Sequence, residues 1–395
     1  MTSSSTSPGS RMGSGVFDSR QRVGPLPARP EFLTLGGNLL PVAGAARLYV
    51  CGITPYDVTH LGHAATFVWA DVLASVLHAG GPAVHVCRNV TDVDDVLLDA
   101  ARDRGWYYDE FALEQEALFD QSMRALRVAT PEARPRARHH VDAVQQLGQA
   151  LLDSGAAYER GGAVWFRGEA VAAASGLDRE QALDLSRSYG DHPEHAEKDE
   201  PFDVAVWRPS EGDEPAWPSP WGWGRPGWHA ECAAMALATH GASVDVLVGG
   251  EDLVFPHHAY QVAMVEAVTG VAPFARFQLH VGEVRLGGQK MAKSTGNLVL
   301  VDEVLSGCTP AAVRLMLVNR RYDEPWDYDP GMLPQAEAAL ERLYAAAATS
   351  AAPAQDPDAA VRLLREDLDV PAALARAEAE GGEVARRLMT VLRLS

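Results

Sequence analysis

"ARLYVCGITPYDVTHLGHAATFVWADVLASVLHAGGPAVHVCRNV", residues 46–90, holds three successive patterns. Residues 46–53 are an apolar run of strand length, and "TPYD" supplies the turn that ends it. From His60 onward apolar residues recur at helical spacing until Gly80 and Gly81 close the run. Residues 83–90 form a second, valine-rich run. Strand, helix and strand in this order predict a parallel crossover, the unit of a doubly wound parallel sheet. The fold class is α/β, and such a sheet binds its ligands at the carboxyl ends of its strands.

Working outward, helical spacing appears in 94–105, 109–128 and 139–155, and residues 156–168 read as a hairpin. Residues 187–227, crowded with Pro, Gly, Asp and Trp, read as a long irregular connection. Regular structure resumes with a helix over 228–241, a strand over 244–250, a helix over 257–270 and a strand over 276–286. A Gly-rich turn then leads to "KMAKSTGN" (290–297), and the remainder is helical. Residues 1–30 are expected to be a disordered or extended N-terminal segment. Residues 31–300 are expected to form the Rossmann-like catalytic domain, with a helical and irregular insertion at 109–227, and residues 301–395 a C-terminal helical region.

The 395 residues are 47% hydrophobic and 22% charged, an ordinary globular balance. A net charge of −19 weighs against a broad phosphate-binding face, so no nucleic-acid partner is expected. No apolar stretch reaches the roughly 18 residues of a spanning helix, and the N-terminus lacks a signal-peptide core. The reading is a cytoplasmic protein without a membrane partner, for which a monomer suffices. Cys51, Cys87, Cys232 and Cys308 form no Cys-x-x-Cys pair. They are reduced thiols or contribute to a metal site assembled from distant segments.

"THLGHA" (59–64) resembles the first signature of class I aminoacyl-tRNA synthetases, and "KMAKS" (290–294) their lysine loop. "YVCGITPYD", "NVTDVDD", "PGWHAEC" and "GGEDLVFPHH" narrow the resemblance to the cysteinyl branch, over residues 32–378. Within that branch, "CGITPYD", "THLGHAATF", "GRPGWH" and "STGNLVLV" are most similar to the mycothiol ligases. The resemblance implies a class I synthetase-like Rossmann domain with a helical insertion and a C-terminal helical bundle. It also implies an ATP-dependent, AMP-forming ligase that activates cysteine as cysteinyl-adenylate. The acyl group would pass to the amine of an aminosugar, glucosaminyl-inositol in mycothiol biosynthesis. The alternatives are a cysteinyl-tRNA synthetase, and a paralogue that uses another amine or binds without turnover.

A helix start behind a strand directs free N–H groups and a positive dipole end at phosphate. His60 and His63 there can stabilise charge as a carboxylate attacks the α-phosphate of ATP, which enters with Mg²⁺, and Lys290 and Lys293 can clamp the leaving pyrophosphate. Gly62 is expected to let the nucleotide approach closely. The parallel sheet would bring Cys51, Cys232 and His257 to one edge. In the resembled family this set holds one Zn²⁺ that binds the substrate thiolate. The resemblance further assigns Gly52, Ile53, Thr54, Thr66, Asn89, Val90 and Thr91 to the cysteinyl-adenylate pocket. It places Trp228 over the amino acid, Gly250, Glu251 and Asp252 at the ribose, and Val284 at the adenine.

Three positions depart from the tRNA-synthetase pattern. Gln261 stands where a glutamate would be a fourth ligand, a change shared with mycothiol ligases. Ala259 replaces another glutamate, and Ala292 the central serine of the lysine loop. Residues 298–395 make a short tail with few aromatic residues to stack on bases, and with the acidic balance this favours the aminosugar acceptor over tRNA. Retention of both histidines and both lysines favours turnover. The acceptor pocket is expected to draw on residues 187–227.

Overall fold

The computed structural model describes Met1 and residues 32–56, 58–291, 296–349 and 354–395. The expectations for residues 2–30, for Ala292 and for Lys293 lie outside the described residues. Phe32–Ser395 form one compact unit. It opens with a small antiparallel hairpin of β1 (Leu33–Leu35) and β2 (Asn38–Leu40), turned by Gly36 and Gly37 at positive φ.

The central crossover follows: β3 (Ala46–Ile53), α1 (Leu61–Ala79) and β4 (Val84–Val90). After it come α2 (Asp95–Arg104), which Asp94 caps by accepting from the Val96 N–H, α3 (Tyr108–Ala125) and α4 (Val141–Asp153). The hairpin of β5 (Ala157–Arg160) and β6 (Ala163–Phe166) precedes two short helices, α5 (Glu169–Ala174) and α6 (Arg179–Ser188). The hairpin then gains β7 (Val204–Pro209) and β8 (Gly224–Pro226), giving an antiparallel sheet in the order β5-β6-β7-β8. The stretch 187–227 is therefore not wholly irregular. Pro209, Gly224 and Pro226 conceal its strands, because strand patterns exclude these residues except at edges and ends.

Next come α7 (Trp228–His240), β9 (Val244–Gly250), α8 (Ala259–Thr269) and β10 (Ala275–Val281). These complete a parallel sheet in the order β10-β9-β3-β4. The single strand expected over 276–286 is broken at Gly282, whose N–H donates to the Tyr322 carbonyl at 2.8 Å. The chain then enters a second small sheet of β11 (Val284–Leu286) and β12 (Gln289–Lys290). After α9 (Val301–Gly307) and α10 (Pro310–Val318), β13 (Trp326–Asp327) pairs with β11. A bundle of α11 (Met332–Ala347), α12 (Ala359–Leu364), α13 (Val370–Glu380) and α14 (Gly382–Leu392) ends the chain.

Strand side chains alternate in direction, so the parallel sheet builds a core on each face. Leu48 and Val50 of β3, with Val246 and Val248 of β9, pack into the core shared with α1 and the C-terminal helices. Tyr49, Cys51 and Leu247 point into the other core, with α4, α7 and α8. A buried ion-pair cluster on Asp71 joins α1 to α10 and to Arg393 near the chain end. The fully buried Arg314 of α10 binds Asp71 of α1, and also donates to the carbonyls of Leu392 at 2.7 Å and Leu126 at 3.1 Å. Asp71 in turn accepts the Ala129 N–H at 2.9 Å.

Removing Arg314 takes from the buried Asp71 the more deeply buried of its two arginines, since Arg393 Nε also lies 3.1 Å from its carboxylate, and it leaves the Leu392 and Leu126 carbonyls without their donor. Arg314→Met is expected to destabilise the protein by about 3–5 kcal/mol. A urea midpoint equal to that of the parent would show that the pair does not hold α10 and the C-terminal helices to α1.

Candidate active site at the carboxyl edge of the parallel sheet

From β3 the chain crosses to β4 on one side and later returns to β9 on the other, so the strand order reverses between β3 and β9. Helices cannot cover the sheet's end at that reversal, and a crevice is left. Here it is a cavity of about 1050 Å³. Its lining includes Cys51 and Gly52 from β3, His60, His63 and Thr66 around the start of α1, Gly250–Asp252 after β9, and Val284 and Lys290.

The nucleotide half centres on His60, which caps α1. Its Nδ1 accepts the Gly62 N–H at 3.1 Å, which assigns the ring proton to Nε2. Gly62 is needed for this cap: a Cβ there would lie 2.8 Å from His60 Cε1, so its lack of a side chain serves the histidine as well as the cavity it lines. The His63 ring lies 3.9 Å from that of His60, centroid to centroid. Burial, followed by the nearby His63 and Lys290, pushes the His60 pKa down to about 3, so the ring is a neutral donor at physiological pH. Thr66 Oγ1 donates to the Gly62 carbonyl at 3.4 Å. Across the cavity, Lys290 Nζ pairs with Asp252 at 2.8 Å and lies 3.8 Å from Glu283. Burial works against the lysine's charge, but these carboxylates outweigh it and the Lys290 pKa rises.

The second half is buried. The ligand atoms of Cys51, Cys232 and His257 lie within 4.8 Å of one another, although their residues come from β3, α7 and the turn before α8. Asn89 ties this cluster to the strand ends, because its Oδ1 accepts the Gly52 N–H at 2.8 Å while its Nδ2 donates to Cys232 Sγ at 3.2 Å. A Cβ on Gly52 would fall 1.7 Å from the Asn89 carbonyl oxygen, so only glycine fits. Ile53, Thr54, Val90 and Thr91 support this corner from behind. Thr91 Oγ1 donates to the Ile53 carbonyl at 3.3 Å and shares a hydrogen bond of 2.7 Å with Thr54 Oγ1. Val90 pairs with Ile53 across the strands. Trp228 stacks on the His257 ring at 3.9 Å and 22°.

Gln261 is fully buried beside the cluster and accepts from Cys51 Sγ at 3.4 Å, while Ala259 is the first residue of α8. Three further residues were given no role from the sequence. His229 places its Nδ1 2.9 Å from His257 Nδ1, Glu283 flanks Lys290, and Tyr189 lies parallel to Trp228 at 6.2 Å. His229 falls within the quoted "PGWHAEC" stretch, whereas Glu283 and Tyr189 lie outside every quoted motif and only long-range packing brings them to the site.

Comparisons with known proteins agree on this architecture. Residues 41–338 match the family described as tRNA synthetases class I (C) catalytic domain. The chain is 41% identical over 355 residues to the L-cysteine:1D-myo-inositol 2-amino-2-deoxy-alpha-D-glucopyranoside ligase of Streptosporangium roseum, covering 88% of this chain and 87% of that protein. To the ligase of the same name from Mycolicibacterium vanbaalenii it is 43% identical over 347 residues, covering 85% and 81%. Among solved structures, methionyl-tRNA synthetase of Mycobacterium tuberculosis in complex with methionyl-adenylate shares the fold. Its TM-score is 0.61 at 15% identity, with 89% of this chain and 82% of that one covered.

The depressed His60 pKa sets a pH dependence. An imidazole whose folded pKa lies below its unfolded value binds fewer protons than the open chain, so its contribution lowers stability as the pH drops from about 6.5 toward 3. In NMR titration the His60 ring is expected to stay neutral through pH 5 and to protonate near 3. A midpoint near 6.5 would mean that the ring is solvated and free of its cap.

Proposed function

This chain belongs to the L-cysteine:1D-myo-inositol 2-amino-2-deoxy-alpha-D-glucopyranoside ligases within the class I (C) synthetase family, and we propose that it joins cysteine to the amine of that aminosugar at the expense of ATP. The observation that carries this reading is the junction of two unlike half-sites. Cys51 of the buried sulfur–imidazole cluster lines the same cavity as His60, His63 and Lys290. A thiol-bearing amino acid and a nucleotide can therefore meet in one place.

The first step is carboxylate attack on the α-phosphorus of ATP, which enters with Mg²⁺. The bond to pyrophosphate breaks and cysteinyl-adenylate forms. His60 Nε2–H and His63 face the phosphate charge that develops, at the positive end of α1, whose first turn carries no acidic residue. Lys290, and Lys293 of the same loop, take the charge of the leaving pyrophosphate. Asp252 is assigned to the ribose with Gly250 and Glu251, so ATP must separate the Lys290–Asp252 pair as it binds. Val284 supplies an apolar surface for the adenine, and Thr66 with the Gly52–Thr54 and Asn89–Thr91 corner shapes the remainder of the adenylate pocket.

Cys51, Cys232 and His257 are assigned as ligands of one Zn²⁺. Two sulfurs and one imidazole, buried and within 4.8 Å of one another, are a donor set suited to that ion, with one position left open. When bound, the ion supplies a Lewis acid that holds the substrate's sulfur as a thiolate, a role a serine hydroxyl cannot match. Trp228 covers the amino acid. In the second step the aminosugar nitrogen attacks the acyl carbon, an amide forms and AMP leaves. A single chain supplies all of these groups, so a monomer suffices. The reaction is assigned to the cytoplasm, where thiols stay reduced, and no described helix is long and apolar enough to cross a membrane.

Metal analysis is expected to give about one zinc per chain, lost in Cys232→Ala. Retention of both zinc and cysteine affinity in that variant would rule the assignment out. Pyrophosphate exchange into ATP should depend on cysteine without any acceptor, with serine a very poor substitute. Lys290→Ala should depress that exchange by about 10²-fold. With glucosaminyl-inositol and tRNA both present, product masses should show the amide alone, and cysteinyl-tRNA as the sole product would instead establish a synthetase.

A further inference from the structure

The cavity, at about 1050 Å³, lies at the upper end of the range of single-ligand pockets, about 300–1,000 Å³. One wall is claimed by neither the nucleotide nor the cysteine half. It consists of Ser175 and Leu177, in the turn after α5, and of Leu185, Ser188 and Tyr189 at the end of α6. We propose that this wall is the acceptor subsite, with Tyr189 orienting a polyol amine against the acyl–phosphate bond. The inference rests on the ligase reading above and adds to it the residues that select the acceptor.

Three observations place it. First, the rings of His257, Trp228 and Tyr189 form a column. Trp228 lies on His257 at 3.9 Å, and Tyr189 lies parallel to Trp228 within 13° at 6.2 Å. Tyr189 is thus the outer member of a stack that starts in the cysteine half. Second, Tyr189 lines the same cavity as Lys290 of the nucleotide half, whose charge acts on the tyrosine hydroxyl. The bond that the amine must attack joins those two halves, so Tyr189 stands at the point of entry. Third, the wall carries no charge. Ser175 Oγ donates to the Ala172 carbonyl at 2.7 Å and Ser188 Oγ to the Leu185 carbonyl at 2.8 Å. Ser188 Oγ therefore presents acceptor capacity to incoming hydroxyl groups, while Ser175 Oγ, which already accepts the Leu177 N–H at 3.2 Å, keeps one lone pair for them. Leu177, Leu185 and the tyrosine ring offer an apolar surface to the C–H face of a sugar ring. A wall without lysine or arginine gives a polyanionic backbone nothing to pair with.

In the transfer step the amine nitrogen forms the C–N bond as the acyl C–O bond to phosphate breaks. AMP leaves with that electron pair, and the surplus amine proton goes to solvent.

The test compares the parent with Leu177→Trp, which fills the wall, and Tyr189→Ala, which removes its centre. Glucosaminyl-inositol is varied in the full reaction, and the cysteine KM is taken from pyrophosphate exchange without acceptor. The expected result is a rise of about tenfold or more in acceptor KM for each variant, with a cysteine KM in Leu177→Trp changed by less than about twofold. An acceptor KM within about twofold of the parent in both variants overturns the subsite while leaving the ligase reading intact. Equal rises in both constants in Leu177→Trp also overturn it, assigning the wall to the adenylate. A parent that exchanges pyrophosphate yet makes no amide would overturn the subsite and the ligase reading together.

Discussion

The amide of Asn89 ties the end of β3 to α7 at the floor of the site. One end accepts the Gly52 N–H at the tip of β3, and the other donates to Cys232 on α7. Buried polar groups must find partners, and an amide with fixed donor and acceptor ends can satisfy this pair in one orientation only. The contact is close because Gly52 has no Cβ to strike the Asn89 carbonyl. Cys51 precedes that glycine and His60 follows a short turn after it. The position of β3 against β4 therefore sets both the sulfur cluster and the start of α1.

The rest of the molecule makes that corner stiff. The sheet is packed from both sides, so β3 cannot move toward either core without opening a void. Helix α1 is held along its length by the Asp71–Arg314 pair, which also binds carbonyls from the loop after α3 and from α14. The histidines at one end of α1 are thus fixed through a charge buried in its middle. Lys290 is different: it is half-exposed, sits on a two-residue strand, and its pairing with Asp252 is weak enough in water for a nucleotide to replace.

Much of this could be read from short segments. The order β3, α1, β4 follows from periodicity over 45 consecutive positions, and a carboxyl-edge site follows from that order. His60 as a helix start is equally local. The strands in 187–227 were not legible, because their residues are chosen for close packing and edges and carry no alternating pattern. The partner that requires Gly62 to lack a side chain, the His60 ring, was not legible.

By itself, the sequence determined the central crossover, most of the helices and the candidate reactive side chains. These depend on neighbours within a few residues, where hydrogen-bond geometry and side-chain period leave few choices. The tertiary structure alone decided which side chains share a space. Cys51 and Gln261, His229 and His257, and Tyr189 with Trp228 and Lys290 are brought together by sheet register and helix packing. Those contacts depend on the chain closing loops of tens to hundreds of residues around two cores, and no local pattern encodes where such loops meet.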